Sequence, residues 1–424
     1  MSLIKTLIVS IFIISLGISQ GRMNALGIGH YYHHQGIGNA TGGVIDLFPS
    51  FKSNVSLTNP STWHNLKFTF LSLSYSGNEN SFDNGSIANG YSSLSNAMWV
   101  IPIKSKSSFG INLSPYADQR ITLVDQDTSA FQAFDTTYNY TRSFDRSGGI
   151  LSLRLGSSYK LNKSISFGLY YNILFGSSRN HESLLFDGSS IVQSSRVRYN
   201  GIINDLFLMM SMSNDLNIFS KYTYTLKALE GSLEQKHLFD DINGNGYHDY
   251  SPPYYDFPYP DSVEASSEIR IKDLHAPQGY TFGISKIVNS TSAVAMELGS
   301  MKDNSQGLID LRLPINNWIK ETNTFKVSFS HYPNDLSIRL FDKLSFRTGI
   351  VYYEHKQKNG NSPITEIGYS LGCGFKFKPV GNQIDINYYI GSREHSGLNE
   401  KELIQQIQLG VSIADIWFVK RRQK

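Results

Sequence analysis

The residues with the sharpest chemical spacing are Asp241-Ile242-Asn243-Gly244-Asn245-Gly246-Tyr247-His248-Asp249. Side-chain oxygens fall at the first, third, fifth and ninth places. Tyr247 offers a backbone carbonyl at the seventh, and Gly246 permits the sharp turn, so the run has the ligand pattern of a calcium loop. The twelfth place, where such loops carry a bidentate Glu, is Pro252. Asp256 or Asp261 replaces that ligand only if the chain folds back. The competing reading is a solvated Asx/Gly turn. Ca2+ is the ion this loop could hold, and no cofactor is required. A second group, His30, His33 and His34 beside Tyr31 and Tyr32, has imidazoles close enough for a transition metal. No Cys or carboxylate joins it before Asp46, and hydrogen-bonded polar residues are the plainer reading. The chain contains no His-Glu-x-x-His, phosphate loop or dinucleotide fingerprint, so no enzyme is expected.

These residues sit in a chain of unusual composition. It has 424 residues, a net charge of +3, only 17% charged residues, 13% aromatics and 35 Gly. So much apolar and aromatic surface excludes disorder. A helical membrane bundle is excluded as well, since each span needs ~20 continuous apolar residues and only the N-terminus approaches that. Near-neutral charge without a basic cluster excludes a nucleic-acid partner. The single Cys373 excludes a disulfide framework. Few charges, many aromatics and no long apolar run fit a transmembrane β-barrel.

The start, MSLIKTLIVSIFIISLGISQ, has Lys5, an apolar run over Leu7 to Leu16 and small residues at Gly17 and Ser19. It reads as an export signal over residues 1–19, and the expected location is a Gram-negative-type outer membrane. From residue 66 the chain alternates with period two. In 366–377, Ile367, Tyr369, Leu371, Cys373, Phe375 and Phe377 oppose Glu366, Gly368, Ser370, Gly372, Gly374 and Lys376. Short links near 104–108, 161–164, 213–216, 288–291 and 378–382 take turns with long polar segments at 77–89, 118–147, 177–192, 230–275, 302–322, 355–363 and 394–401. Strands threaded back and forth through a bilayer do this. Fourteen strands are predicted: 66–76, 90–103, 109–117, 148–160, 165–176, 193–212, 217–229, 277–287, 292–301, 323–331, 344–354, 364–377, 383–393 and 402–418. Trp99, Tyr159, Phe377, Trp417 and Phe418 are expected at one membrane–water boundary. The inward set gathers Arg154, Lys221, Glu297, Glu366, Lys376, Asp385 and Arg393, whose mixed signs suit ion pairs that anchor a plug.

The predicted fold class is therefore all-β, an antiparallel transmembrane barrel of about fourteen strands. Residues 20–65 do not alternate and are rich in Gly. A barrel of this size has a lumen too wide for its own side chains to fill, so this segment is expected inside as a plug. A periplasmic tail is the alternative. The barrel proper is expected over 66–424, with a large outer insertion at 230–275 rich in Pro and Tyr.

Gly36-Ile37-Gly38-Asn39-Ala40 followed by Asn59-Pro60-Ser61 resembles the glycine-rich start and Asn-Pro-Ala motif of the FadL outer-membrane transporter superfamily, which includes PorV-like proteins. Ser114-Pro115-Tyr116, Ala276-Pro277-Gln278-Gly279-Tyr280 with Gly283, and Leu409-Gly410-Val411-Ser412 with Ile416-Trp417-Phe418 are similar to further motifs of that family. The chain departs at Ser61, where the family usually has Ala, and in the 230–275 insertion. The resemblance implies a fourteen-strand barrel with an N-terminal hatch. It also implies passive uptake of hydrophobic small molecules, which leave sideways into the lipid bilayer through a kink in the third strand. Here that strand carries Pro115, which donates no ladder hydrogen bond. Pro115 and Tyr116 then border an opening, or Pro115 merely marks the rim where the next loop begins. The PorV-like branch implies a different role, a surface protein that holds or shuttles secreted cargo, and a purely structural barrel is a third.

Overall fold

A computed structural model describes residues 22–31, 47–48, 55–82, 88–104, 106–124, 129–133, 136–186, 189–240, 243, 249–256, 267–311, 313–333, 337, 339, 341–360, 362–378, 382–395 and 400–415. The expected export signal, Gly36 and Gly38, His33 and His34, and Trp417 and Phe418 lie outside them.

Side chains that alternate between lipid and lumen leave the chain one way to satisfy every backbone group, a closed antiparallel barrel. Fourteen strands form it. They are β1 (Thr69–Phe82), β2 (Ala88–Lys104), β3 (Ser107–Asp118), β4 (Thr136–Lys160), β5 (Ile165–Phe186), β6 (Ser189–Ser211) and β7 (Leu216–Asp240). The circuit continues through β8 (Pro277–Asn289), β9 (Ser292–Asp303), β10 (Ile319–His331), β11 (Leu344–Gln357), β12 (Ile364–Lys378), β13 (Asn382–His395) and β14 (Glu400–Asp415). Pairing of Thr69 with Asp415 through Phe82 with Glu402 closes the ring. The short links turn on local side-chain acceptors: Asn162 Oδ1 takes the N–H groups of Ser164 and Ile165 at 2.8 and 2.7 Å, and Asn289 Oδ1 takes that of Thr291 at 3.0 Å. These are Asx turns, which need no bulky residue and so suit tight hairpins.

The predicted faces hold. Ile367, Tyr369, Leu371, Ile384 and Ile386 point outward and are exposed, as is Cys373, while Glu366, Asp385 and Arg393 are buried in the lumen. The strands on the long-loop side run further than expected. Segment 177–192 is a two-strand hairpin rather than a loop, β4 begins at Thr136, and β7 continues to Asp240 against a returning strand Ser267–His275. Above the bilayer both faces meet water, so these stretches carry no apolar period to reveal them. Within the insertion, Tyr250–Ser251 pairs with Tyr254–Tyr255 about the cis bond Pro252–Pro253.

The described parts of the N-terminal segment pack inside the lumen at two levels. Leu47, Val55, Leu57 and Trp63 pack against Met98, Tyr170 and Phe207 near the short-turn end, while Ile28 joins Ile150, Leu174, Leu274 and Trp318 higher up. Inward charges meet partners on the wall: Arg393 lies 2.8 Å from Glu366 and 3.1 Å from Glu402, and Arg347 lies 2.9 Å from Asp385. Lys326 lies 3.4 Å from Glu297, which also accepts the Leu47 N–H at 3.2 Å and so ties wall to plug.

Candidate functional site

The Asn-Pro-Ser motif forms a local knot. Asn59 caps the short 3-10 turn Pro60–Asn65, its Oδ1 accepting from Ser61 N at 3.1 Å and from the Ser61 hydroxyl at 2.6 Å. The Asn59 amide donates to Leu47 O at 3.3 Å. Pro60 suits the first turn because its missing N–H would have no partner there. The departure at Ser61 thus has a use, since the hydroxyl gives the cap a second donor that Ala lacks. Trp63 Nε1 and the Thr62 hydroxyl both donate to Ser56 O at 3.0 Å, closing the loop on itself. The indole stands edge-on to Tyr170 at 5.4 Å between ring centroids. Gly156 makes room for it, since a Cβ there would come within 2.5 Å of the ring. Asn59, Pro60 and Ser61 therefore shape the turn that seats Trp63 against the wall.

The segment Gly27–Tyr31 is bonded to β3 and to its neighbour β4. His30 pairs with Asp118 and Tyr31 with Ala117. Gln119 donates to Ile28 O at 2.9 Å and Arg146 to Gly27 O at 2.8 Å. Gly29 adopts φ +92, and a Cβ there would collide with the Asp118 carbonyl, so only glycine permits this approach.

The wall is interrupted at the place where these contacts lie. The β2–β3 ladder runs from Lys104 with Ser107 to Ala97 with Leu113 and stops there, although both strands continue. Above that rung β2 pairs only with β1, skipping Ser95 in a bulge between Asn96 and Leu94. β3 pairs with β4, skipping Tyr116 between Pro115 and Ala117. Each bulge adds a residue and bends its strand, so the two strands diverge. Pro115 and Tyr116 sit on the rim of the resulting break. The second bulge, at Ser95, had no Gly or Pro to announce it. Tyr116 turns inward, and its hydroxyl lies 2.6 Å from His275 Nε2.

Two cavities lie further round the barrel, lined by residues from β4 onward. One of about 430 Å3 lies at the long-loop end, with Phe144, Leu233, Ile271 and Leu311 on its apolar side and Glu182 and Arg270 among its polar lining. The other, of about 490 Å3, opens on the lipid side over β4 to β8 between Tyr159, Phe167, Tyr222 and Tyr280.

Of the calcium-loop residues, Asp241, Asn245 and Tyr247 lie outside the described residues. Asn243 donates to Asp249 at 2.6 Å, and Asp249 N–H donates to Asp256 Oδ2 at 2.7 Å. The chain does fold back, turning at Pro252–Pro253 to bring buried Asp256 beside Asp249. Among the described residues no group of three His, Cys, Asp or Glu has the geometry to hold a metal ion.

A family model described as BamG matches residues 3–424. No curated protein matches the chain. Among solved structures, a Pseudomonas aeruginosa FadL homologue is 13% identical over 93% of this chain and 99% of that one, with a TM-score of 0.56. The CymD monoaromatic hydrocarbon channel is 12% identical over 92% and 98%, with a TM-score of 0.54. A TodX monoaromatic hydrocarbon channel mutant is 14% identical over 94% and 100%, with a TM-score of 0.55. At these identities the likeness is one of fold, and that fold points to the outer membrane.

Proposed function

The chain belongs to the BamG family, and on that footing we propose that it is an outer-membrane channel in which hydrophobic small molecules pass the N-terminal hatch and leave sideways at β3. The observation that carries this reading is the β2–β3 ladder that ends at Ala97 and Leu113 while both strands run on. Elsewhere among the described residues the ladders run on, apart from the step where β7 passes from β8 at Thr223 to the return strand at Leu229, and at β2–β3 the break goes with two opposed bulges. An apolar solute that leaves there enters the bilayer core directly, without crossing headgroups. The cavity at the long-loop end offers such a solute a first apolar surface, and the fold shared with hydrocarbon channels agrees with that solute class.

Residues 1–19 serve export, and residues 20–65 act as the hatch. The test is uptake of naphthalene by Gram-negative cells carrying the chain in a lipopolysaccharide-faced outer membrane. Pro115→Val restores a ladder donor and favours a straight strand, so uptake should fall several-fold. Uptake at the unmodified rate would remove β3 as the exit. Copurification of a secreted protein together with unchanged uptake would favour the cargo-holding role. The Asp241–Asp249 loop, with Asp256 beside Asp249 as the candidate for the missing Glu, takes one Ca2+ weakly. Calorimetry of the intact protein without a calcium heat would refute that assignment.

A further inference from the structure

The bulge in β3 aims one side chain where a regular strand would not. Pro115 pairs with Leu151 and Ala117 with Ile150, so Tyr116 is the extra residue between two rungs. It packs against the apolar cluster around Ile28, Ala117 and Leu274 inside the lumen. Its hydroxyl meets His275 Nε2 at 2.6 Å, and the other ring nitrogen, Nδ1, lies 2.6 Å from Asp303 Oδ2. A carboxylate on Nδ1 keeps the proton on that nitrogen, which leaves Nε2 as the acceptor for the phenol. Asp303 is itself fixed, because its Oδ1 accepts the N–H of Ala276 at 2.9 Å and of Ser305 at 3.0 Å. His275 and Asp303 are both buried, so neither exchanges its partner for bulk water at low cost.

The far end of this chain lies in a second irregular part of the wall. His275 closes the strand Ser267–His275 that returns from the outer insertion, and β8 starts two residues later. Asp273 just before it has φ 54, and β7 slips register between Leu229 and Gly231 opposite it. Tyr116 therefore joins the bulge at the break to a bend in a wall five strands further round the barrel.

We propose that His275 and Asp303 are positioning residues that hold Tyr116 across the lumen, so that the return arm of the outer insertion keeps the break at β3 in its resting width. Releasing the phenol frees the upper half of β3 and widens the break. This rests on the reading of the break as the exit, and the test separates the two. Spin labels at Leu94→Cys and Leu151→Cys, both exposed on the lipid side across the break, are compared in a Cys373→Ala background in bilayer nanodiscs. Tyr116→Phe and His275→Ala are each added, with heat-modifiable gel mobility as the check on folding. The expected result is a longer or broader label distance in both variants, with faster naphthalene uptake. The double variant should show no more than the larger single effect, since linked groups are not additive. Unchanged distances in Tyr116→Phe, whatever the uptake, would overturn the latch. A changed distance with unmodified uptake would leave the latch standing and remove the exit.

Discussion

Two neighbouring arcs of the barrel solve the same problem differently. From β11 to β14 the ladder is nearly unbroken, and its inward face carries full charges: Arg347, Glu366, Asp385, Arg393 and Glu402. Between β1 and β3 the inward face is Ser72, Ser74, Ser76, Asn96, Asn112 and Ser114, and the ladder fails partway. Ion pairs between neighbouring strands fix register as well as neutralise charge. Short neutral side chains bridge less and let two strands part. The contrast teaches that the wall is stiff where the lumen is ionic and yielding where it is merely polar.

The largest test of that contrast is Arg393→Leu. It takes the guanidinium away from buried Glu366 and Glu402, which costs on the order of 3–5 kcal/mol. The expected outcome is a marked fall in the thermal midpoint of unfolding in detergent. Asn96→Ala, on the yielding side, should shift that midpoint far less, and equal losses would erase the distinction. Trp63→Ala empties the space between Gly156 and Tyr170 and should cost about 3–5 kcal/mol of local stability. Hydrogen exchange should report it as faster opening of residues 56–65, with the β11–β14 amides unchanged. Ser61→Ala removes the hydroxyl bond to Asn59, worth about 1 kcal/mol. Its exchange signature should be the same in kind and smaller.

The smallest expected effect is with pH. His64 lies in the turn Pro60–Asn65, and burial, aided by the charge of Lys160, lowers its basicity, partly offset by the bond to Ser61 O. The unfolded chain then takes up a proton more readily than the folded one does. Stability is level above about pH 6.5, the ordinary imidazole range, falls as the pH drops below it, and levels off once the folded state protonates too. Melting curves from pH 7.5 to 5.5 should show that decline, and His64→Gln should flatten it.

Much of this was legible because lipid selects one face of each strand. The alternation in 366–377 or 384–393 leaves no second assignment, and the strand order follows from the short turns. The outer ends of β4 to β7 were not legible, since water on both sides removes the period. Pro115 announced one bulge. Ser95 announced nothing, because its displacement depends on how β1 and β2 twist past each other. The Tyr116–His275–Asp303 chain was hidden by distance along the sequence: 159 positions separate the first two and 28 the last two. The Gly156 floor under Trp63 was hidden in the same way, an ordinary inward glycine until the indole is placed on it.

The short run at His30 and Tyr31 has one more consequence. A strand whose neighbour has turned away exposes a row of bare amides and carbonyls, a template on which another molecule's strand can grow. By lying along Ala117 and Asp118, the N-terminal peptide blunts that edge. If it is also the proposed hatch, a barrel deprived of it would become both leaky and prone to self-association, two defects from a single loss.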